Sequence, residues 1–457
     1  MIAREMLLFK ILESEKSNNV ITSDSLILEW INGLNRNTTS VIIPISIKSQ
    51  DYWTINSQGN ICNRSNSFFS ISGIRTTINE NTEEQPIIIQ NEVGFLGFIC
   101  KIIKGTLYFL VQAKIEPGNI NTVQISPTIQ ATYSNFTQKH GGKKPKYIDY
   151  FINLNKQIVI SDLILSEQSS RFFKKRNRNV IIYTEEDIEI FDSHKWLTLR
   201  QIKKMFDYDN LVNMDTRTVL SCIPYHDLSP NHINELIEKS EIKNSLLNYR
   251  SDVIITALTL INNERMFHNR SVSFIGLDQL RDWTVSDYGV FPLRKANFEV
   301  IFCNINIDGR EVSNWSQPLF KSTGKGIFIL AQTVVNNQLE FIIKAVNEMG
   351  NFDTSEFGPT VQLEYSDIGS EYDMLEKICI EKFNKGQDIV KKSILSEEGG
   401  RFYHEENYNV IMNISRDELK YISDKYIFVT YNEIKRLINM GNLVNIQLRN
   451  LVSILEV

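Results

Sequence analysis

Ser126-Pro127-Thr128-Ile129-Gln130 returns as Gly358-Pro359-Thr360-Val361-Gln362, 232 positions further along the chain. The echo extends outward on both sides. Trp53 and Gly59 reappear as Trp283 and Gly289 at an offset of 230, and Pro86, Leu107, Ala113 and Gly118 as Pro318, Leu339, Ala345 and Gly350 at 232. Leu165-Ser166-Glu167, Arg171-Phe172 and Leu211-Val212-Asn213 return as Leu395-Ser396-Glu397, Arg401-Phe402 and Leu443-Val444-Asn445. Stacked solenoid repeats run to roughly 20–50 residues, so a period this long marks a duplicated domain. The division expected is a first repeat over 1–228 and a second over 229–457, the latter opening with a helical connector at about 229–265.

Within each repeat the hydrophobic period changes from strand to helix. Gly94 to Ile103 and Thr106 to Gln112 are apolar and β-branched, with Lys104-Gly105 as a turn between them, which predicts a hairpin. The second copy repeats it around Asn336-Asn337, residues that tolerate the left-handed backbone of a tight turn. After the pentads, Thr198 to Met205 and Val429 to Ile438 carry apolar residues at helical spacing. A helix is also expected from Ser25 to Leu34, with a β-like run over Val41 to Ile47. The fold class that follows is α+β: two tandem homologous modules, each a mixed or antiparallel sheet followed by helices.

Composition narrows the function. Of 457 residues, 42% are hydrophobic and 23% charged, as in ordinary globular proteins. No apolar run reaches the ~20 residues a membrane helix needs, and the N-terminal residues lack a signal-peptide pattern, so a cytoplasmic protein with no membrane partner is expected. A net charge of −5 disfavours a bulk electrostatic grip on nucleic acid. The five cysteines, 62, 100, 222, 303 and 379, have neither disulfide nor zinc-knuckle spacing. There is no Walker loop, Gly-rich dinucleotide turn, His-Glu-x-x-His or Gly-x-Ser-x-Gly, so neither a metal nor a cofactor is expected.

Two segments carry candidate chemistry. Residues 112–132, QAKIEPGNINTVQISPTIQAT, hold one base, Lys114, one acid, Glu116, and a dense set of neutral donors and acceptors: Gln112, Asn119, Asn121, Thr122, Gln124, Thr128 and Gln130. Such a stretch suits recognition of a hydroxylated ligand; equally, the amides could cap turns and pair strand edges. The other segment, 171–178 (RFFKKRNR), places Arg171, Arg176 and Arg178 among aromatic and amide residues, as in a phosphate clamp, or as in a solvated basic face. Its second copy, 401–408 (RFYHEENY), keeps Arg401 and the aromatic pair but trades most of the positive charge for His404, Glu405 and Glu406. Thr360, Gln362 and Trp283 are the second copy's counterparts of Thr128, Gln130 and Trp53 and join the candidate contacts.

Together with Phe95-Leu96-Gly97-Phe98, the segments 112–132, 165–179 (LSEQSSRFFKKRNRN) and 395–407 (LSEEGGRFYHEEN) resemble the NDP-hexose 2,3-dehydratase family of deoxysugar biosynthesis. The resemblance spans nearly the whole chain. It implies two Nudix-like modules lacking the Nudix metal signature, assembled as a homodimer. It further implies a nucleotide-linked 4-keto-6-deoxyhexose as substrate, commonly the dTDP form, and a 2-deoxy-3,4-diketo sugar nucleotide as product. An NAD(P)H-dependent 3-ketoreductase would take up that product. Under this reading Glu116 or Lys114 serves in acid–base roles, with Tyr403 and His404 as further candidates, and Gln124, Thr128 and Gln130 orient the sugar. The chain departs from the family pattern at 63–69 (NRSNSFF), where a His- and Gly-containing stretch is expected, and at Glu348-Met349-Gly350, which stands against Glu116-Pro117-Gly118. The second departure points to the first copy as the catalytic one. The alternative is a sugar-nucleotide-binding or scaffold protein of the same fold without catalysis.

Overall fold

A computed structural model describes residues 3–65, 68–78, 81–137, 144–308, 312–420 and 422–457; positions 66 and 67 of the 63–69 stretch lie outside these. Each repeat builds two sheets. In the first repeat, the hairpin Gly94–Ile103 and Thr106–Ile115 sits inside a seven-stranded mixed sheet, with Arg176–Tyr183 running parallel to Gly94–Ile103 and Ile158–Ser166 at the edge. In the second, Ile327–Val335, Gln338–Asn347, Glu406–Asn413 and Ile389–Ser396 occupy the same places in a sheet of seven. Asn336 and Asn337 have φ of 51° and 59°, the left-handed turn the sequence calls for. The helical expectations become Asp24–Asn37, Leu199–Lys204 and Tyr431–Asn439, the last two opened by capping boxes from Thr198 and Thr430. The connector forms three helices, Pro230–Leu236, Ser240–Leu247 and Ser251–Phe267.

The smaller sheets hold an arrangement that the sequence does not announce. The leading strand of the first repeat, Ser40–Pro44, pairs with Phe298–Ile307 of the second. The leading strand of the second, Arg270–Ile275, pairs with Ser70–Ile78 of the first. The repeats therefore exchange one strand each. Their loops cross as well. Gly118 N donates to the Gly399 carbonyl at 2.7 Å while His404 N donates to Gly118 at 3.0 Å, and the mirrored pair is Gly350 N to Ser169 at 2.8 Å and Lys174 N to Gly350 at 2.7 Å. A Cβ on Gly118 would lie 1.6 Å from the Phe402 carbonyl oxygen, and one on Gly350 1.8 Å from that of Phe172. Both positions demand glycine because backbone meets backbone there.

One hydrophobic core runs through both large sheets, joining Leu7, Phe98, Val111, Phe206 and Ile261 to Phe328, Ile343, Leu437 and Leu451. Two fully buried arginines stitch across it: Arg217 donates to the Ser396 carbonyl and Arg449 to that of Ser166. The chain ends are tied together where Glu15 accepts from Lys203 at 2.6 Å, Tyr225 at 2.7 Å and the Val457 amide at 2.8 Å. Among the described residues, no helix is long and apolar enough to cross a membrane.

Candidate active site

The loop crossing of Gly118 over the 398–402 turn leaves a cavity of about 600 Å³ beside it, walled by both repeats. The first repeat contributes Lys114, Glu116, Gln130, Lys175 and Asp215, and the second contributes Glu398, Gly400, Arg401 and residues 314–317. The volume falls in the range that takes a ligand of a few hundred daltons.

Strand Thr106–Ile115 ends at the cavity, which brings Lys114 and Glu116 to its floor. Gln130 orders them. Its Oε1 accepts from Ser126 Oγ and Asn213 Nδ2, each at 3.1 Å, so its Nε2 must face the other way and donates to Glu116 Oε2 at 3.2 Å. The Gln130 carbonyl accepts from Lys114 Nζ at 2.9 Å, leaving the ammonium 3.9 Å from Glu116 Oε1. Asp215 enters from the first turn of the helix Met214–Ser221, capped by Asn213. Burial, reinforced by the charges of Glu167, Glu398 and Glu116, holds its carboxyl well above the usual range, against the pull of Lys114. Glu398 is pushed up by burial and restrained by Arg401. Glu167, behind the wall, rises to about 8 through burial and then the Glu398 charge, although Asn177 donates to it at 2.5 Å. Lys175 donates to the Glu92 carbonyl, and burial lowers its pKa. The floor thus brings a carboxyl whose pKa is raised by burial together with Lys114 and Glu116, an arrangement suited to proton transfer.

The mouth is aromatic. Trp53 and Phe69 are buried with ring centroids 4.9 Å apart, while Tyr52 and Phe68 are exposed at the rim. The Trp53 indole donates to the Ser316 carbonyl across the repeat boundary at 2.6 Å. Arg401 lies over the Phe69 ring at 4.3 Å, makes no ion pair among the described residues, and has a buried Nε without a hydrogen-bond partner. Among the described residues, no group of three His, Cys, Asp or Glu side chains is arranged to hold a metal ion.

Of the residues singled out from sequence, Lys114, Glu116, Gln130 and Arg401 meet at this cavity; the others lie elsewhere. Gln124 is fully buried and donates to Ser396 Oγ at 2.9 Å, a strut between repeats. Thr128 and Thr360 hold backbone groups of neighbouring strands inside the core. Asn119 spans its own turn to the Thr122 carbonyl, Thr122 takes a φ of 61°, and Asn121 reaches the Asp209 carbonyl. Gln112 sits on a strand opposite His194. Arg176 lies over Phe352 at 3.9 Å and Arg178 pairs with Asp162 at 2.6 Å. Trp283 packs on Phe298, and Tyr403 and His404 stack on each other at 4.0 Å. Gln362 and Arg171 belong to the pseudo-equivalent place in the second repeat. Sequence reasoning passed over Asp215, Glu398 and Lys175. The available signal was the internal alignment: Asp215, Lys175 and Glu398 stand against Gln447, Glu405 and Gln168, charge changes flanked by matching residues.

A two-repeat chain with a cavity of carboxyls and cations closed by aromatic rings fits the binding of a polar, anionic ligand. The model of the NDP-hexose 2,3-dehydratase family matches residues 24–223 and again 256–455, and the chain belongs to that family. Among its relatives is a dTDP-4-dehydro-6-deoxy-alpha-D-glucopyranose 2,3-dehydratase from Saccharopolyspora spinosa, 34% identical over 408 residues, covering 87% of this chain and 84% of that protein. Proteins of the same name from Amycolatopsis orientalis and Streptomyces violaceoruber are 33% and 32% identical, with 88% of this chain matched to 83% and 90% of theirs.

Proposed function

We propose that this protein is an NDP-4-keto-6-deoxyhexose 2,3-dehydratase, a hydro-lyase of deoxysugar biosynthesis, acting in the cavity between the repeats. The observation that carries the reading is the meeting of Glu116, Lys114 and a neutral-favouring Asp215 on one cavity floor. The C4 ketone of such a sugar acidifies the C3 proton. Glu116 removes that proton, and Lys114 stabilises the oxyanion that develops at C4. The enolate re-forms the ketone as the C2–O bond breaks, and Asp215 gives its proton to the departing hydroxyl, which leaves as water. The C3 enol then loses its O–H proton and C2 gains one, giving the 2-deoxy-3,4-diketo sugar. Atoms balance as substrate minus water, and no electrons enter or leave.

Several finer features belong to the same proposal. Each seven-stranded sheet with its helices is the part we assign to a Nudix-like module, and the repeats divide at about residue 228. The protein acts in the cytoplasm as a homodimer, a reading supported by Ile255, Met266 and Phe267, which leave apolar side chains exposed on the connector helix. An NAD(P)H-dependent 3-ketoreductase takes up the reactive diketone.

The experiment is incubation with dTDP-4-keto-6-deoxyglucose in deuterated water. Loss of the C2 hydroxyl with deuterium at C2 is expected. Binding without elimination would replace catalysis with the sugar-nucleotide-binding reading.

A further inference from the structure

The place in the second repeat that corresponds to the cavity is closed by two carboxylates. Arg171 crosses over from the first repeat just as Arg401 crosses from the second, and it lies over Phe298 at 4.7 Å as Arg401 lies over Phe69. Yet Arg171 is only 1% exposed and is clamped by Glu364 at 2.9 Å and Glu405 at 3.1 Å. Burial alone would lower the pKa of this guanidinium, and the two carboxylates more than offset it.

The alignment that pairs Arg171 with Arg401 pairs Glu405 with Lys175, and the one that pairs Gln130 with Gln362 pairs Glu364 with Thr132. The backbone supports both pairings. Lys174 and His404 share a left-handed φ of 53° and 55°, and the amides of Gly94 and Gly326 donate alike to Asn177 Oδ1 and Asn407 Oδ1. Lys175 and Thr132 both line the open cavity with Arg401. At the second place the arginine thus has two internal anions; at the first those two positions carry a hydroxyl and an ammonium, and Glu398 is the carboxyl on which Arg401 acts.

We propose that Glu364 and Glu405 stand where a ligand's anionic group stands in the first repeat, so that the diphosphate of the sugar nucleotide is received at Arg401, between Thr132 and Lys175. Thr132 and Lys175 are then the residues that decide which of two equivalent arginines can take a ligand. Lys175 adds positive charge to the pocket, and Thr132 withholds a further carboxylate, beyond Glu398, that would neutralise Arg401 from within. The closed place displays the binding geometry of the open one with protein carboxylates as occupant. This inference rests on reading the cavity as the sugar-nucleotide site.

The test uses the full chain and dTDP as probe, titrated calorimetrically, with dehydration followed in parallel. Thr132→Glu and Lys175→Glu are each expected to weaken dTDP by at least about tenfold, the scale of losing a charge-assisted hydrogen bond. Thr132→Gln, matching the glutamate in size without its charge, is expected to lose markedly less than Thr132→Glu. A thermal melt of each variant establishes folding, and Lys175→Met tests the site if Lys175→Glu does not fold, with a weaker loss of dTDP expected. Equal losses in Thr132→Glu and Thr132→Gln, or dTDP binding undisturbed by either glutamate, would overturn the proposal while leaving the dehydratase reading intact. Wild-type protein that binds dTDP but does not dehydrate would instead sink that reading and leave this one standing.

Discussion

The two repeats frame the same strut in different company. In the first, Gln130 holds Glu116 beside Lys114 and Asp215 on an open floor. In the second, Gln362 holds Glu348 at 2.9 Å, but Gln447 stands where Asp215 would be and donates to the same oxygen at 2.9 Å, while Val346 replaces the lysine. Burial, followed by the charges of Glu364 and Glu356, pushes Glu348 up to about 8. The comparison teaches that duplication preserved the hydrogen-bonded skeleton and divided the labour among the groups hung upon it. Lysine to valine, aspartate to glutamine and threonine to glutamate, together with the exchanges of Lys175 for Glu405 and Glu398 for Gln168, separate the open cavity floor from a piece of buried structure.

The largest effect should come from removing the carboxylate on the open side. Glu116→Gln is expected to lower kcat by about 10²–10⁴-fold, the usual worth of a positioned acid or base, and Lys114→Met and Asp215→Asn should fall in the same direction. Glu348→Gln should leave turnover within a few-fold in the same assay. Equal losses from Glu116→Gln and Glu348→Gln would erase the distinction between the repeats.

Arg171 and Arg401 reverse the pattern in stability. Arg171→Met strands Glu364 and Glu405 in the interior, and breaking a buried pair from one side costs about 3–5 kcal/mol. Denaturant unfolding should record that loss for Arg171→Met and much less for Arg401→Met, whose deficit should appear in KM. The crossing glycines sharpen the point. Gly118→Ala forces a methyl against the Phe402 backbone and should cost at least about 1–3 kcal/mol, with activity lost as the 398–402 turn is displaced. Gly350→Ala should cost similar stability and spare more activity.

The smallest expected effect is on pH dependence. Folded Glu348, titrating at about 8 against an ordinary 4.5, keeps a proton that the unfolded chain has released between those values. The native state binds more protons in that window, so stability falls as pH rises through it. Unfolding curves at pH 5.5, 7 and 8 should show this decline, and Glu348→Gln, which cannot ionise, should lessen it, leaving the share of Glu167 and Glu405. An unchanged slope would mean that Glu348 is already ionised in the fold.

Much of this architecture is legible in the chain because it is local. The hairpin at Lys104-Gly105, its copy at Asn336-Asn337 and the capped helices after Thr198 and Thr430 are written in consecutive residues. The same holds for Lys114, Glu116 and Gln130, which one strand end and its return bring together. Asp215 and Glu398 were not legible this way. An aspartate in a helix's first turn is normally read as favourable to the helix dipole, and nothing near Glu398 in sequence indicates that it faces Glu116 across a repeat boundary. Amide-rich composition also misdirects: Gln124 and Thr128 look like ligand contacts, but a buried strand end needs the same groups to satisfy its own backbone.

The exchanged strands Ser40–Pro44 and Arg270–Ile275 have a consequence for how such a chain can change. Each repeat completes a sheet that the other began, so cutting away either half would leave the survivor with an uncovered row of backbone donors and acceptors, the kind of edge that recruits other chains. The half with the closed site therefore cannot be discarded as spare. What began as redundancy has become a mutual obligation, and trimming this protein to a minimal catalyst would have to rebuild that edge before it touched the chemistry.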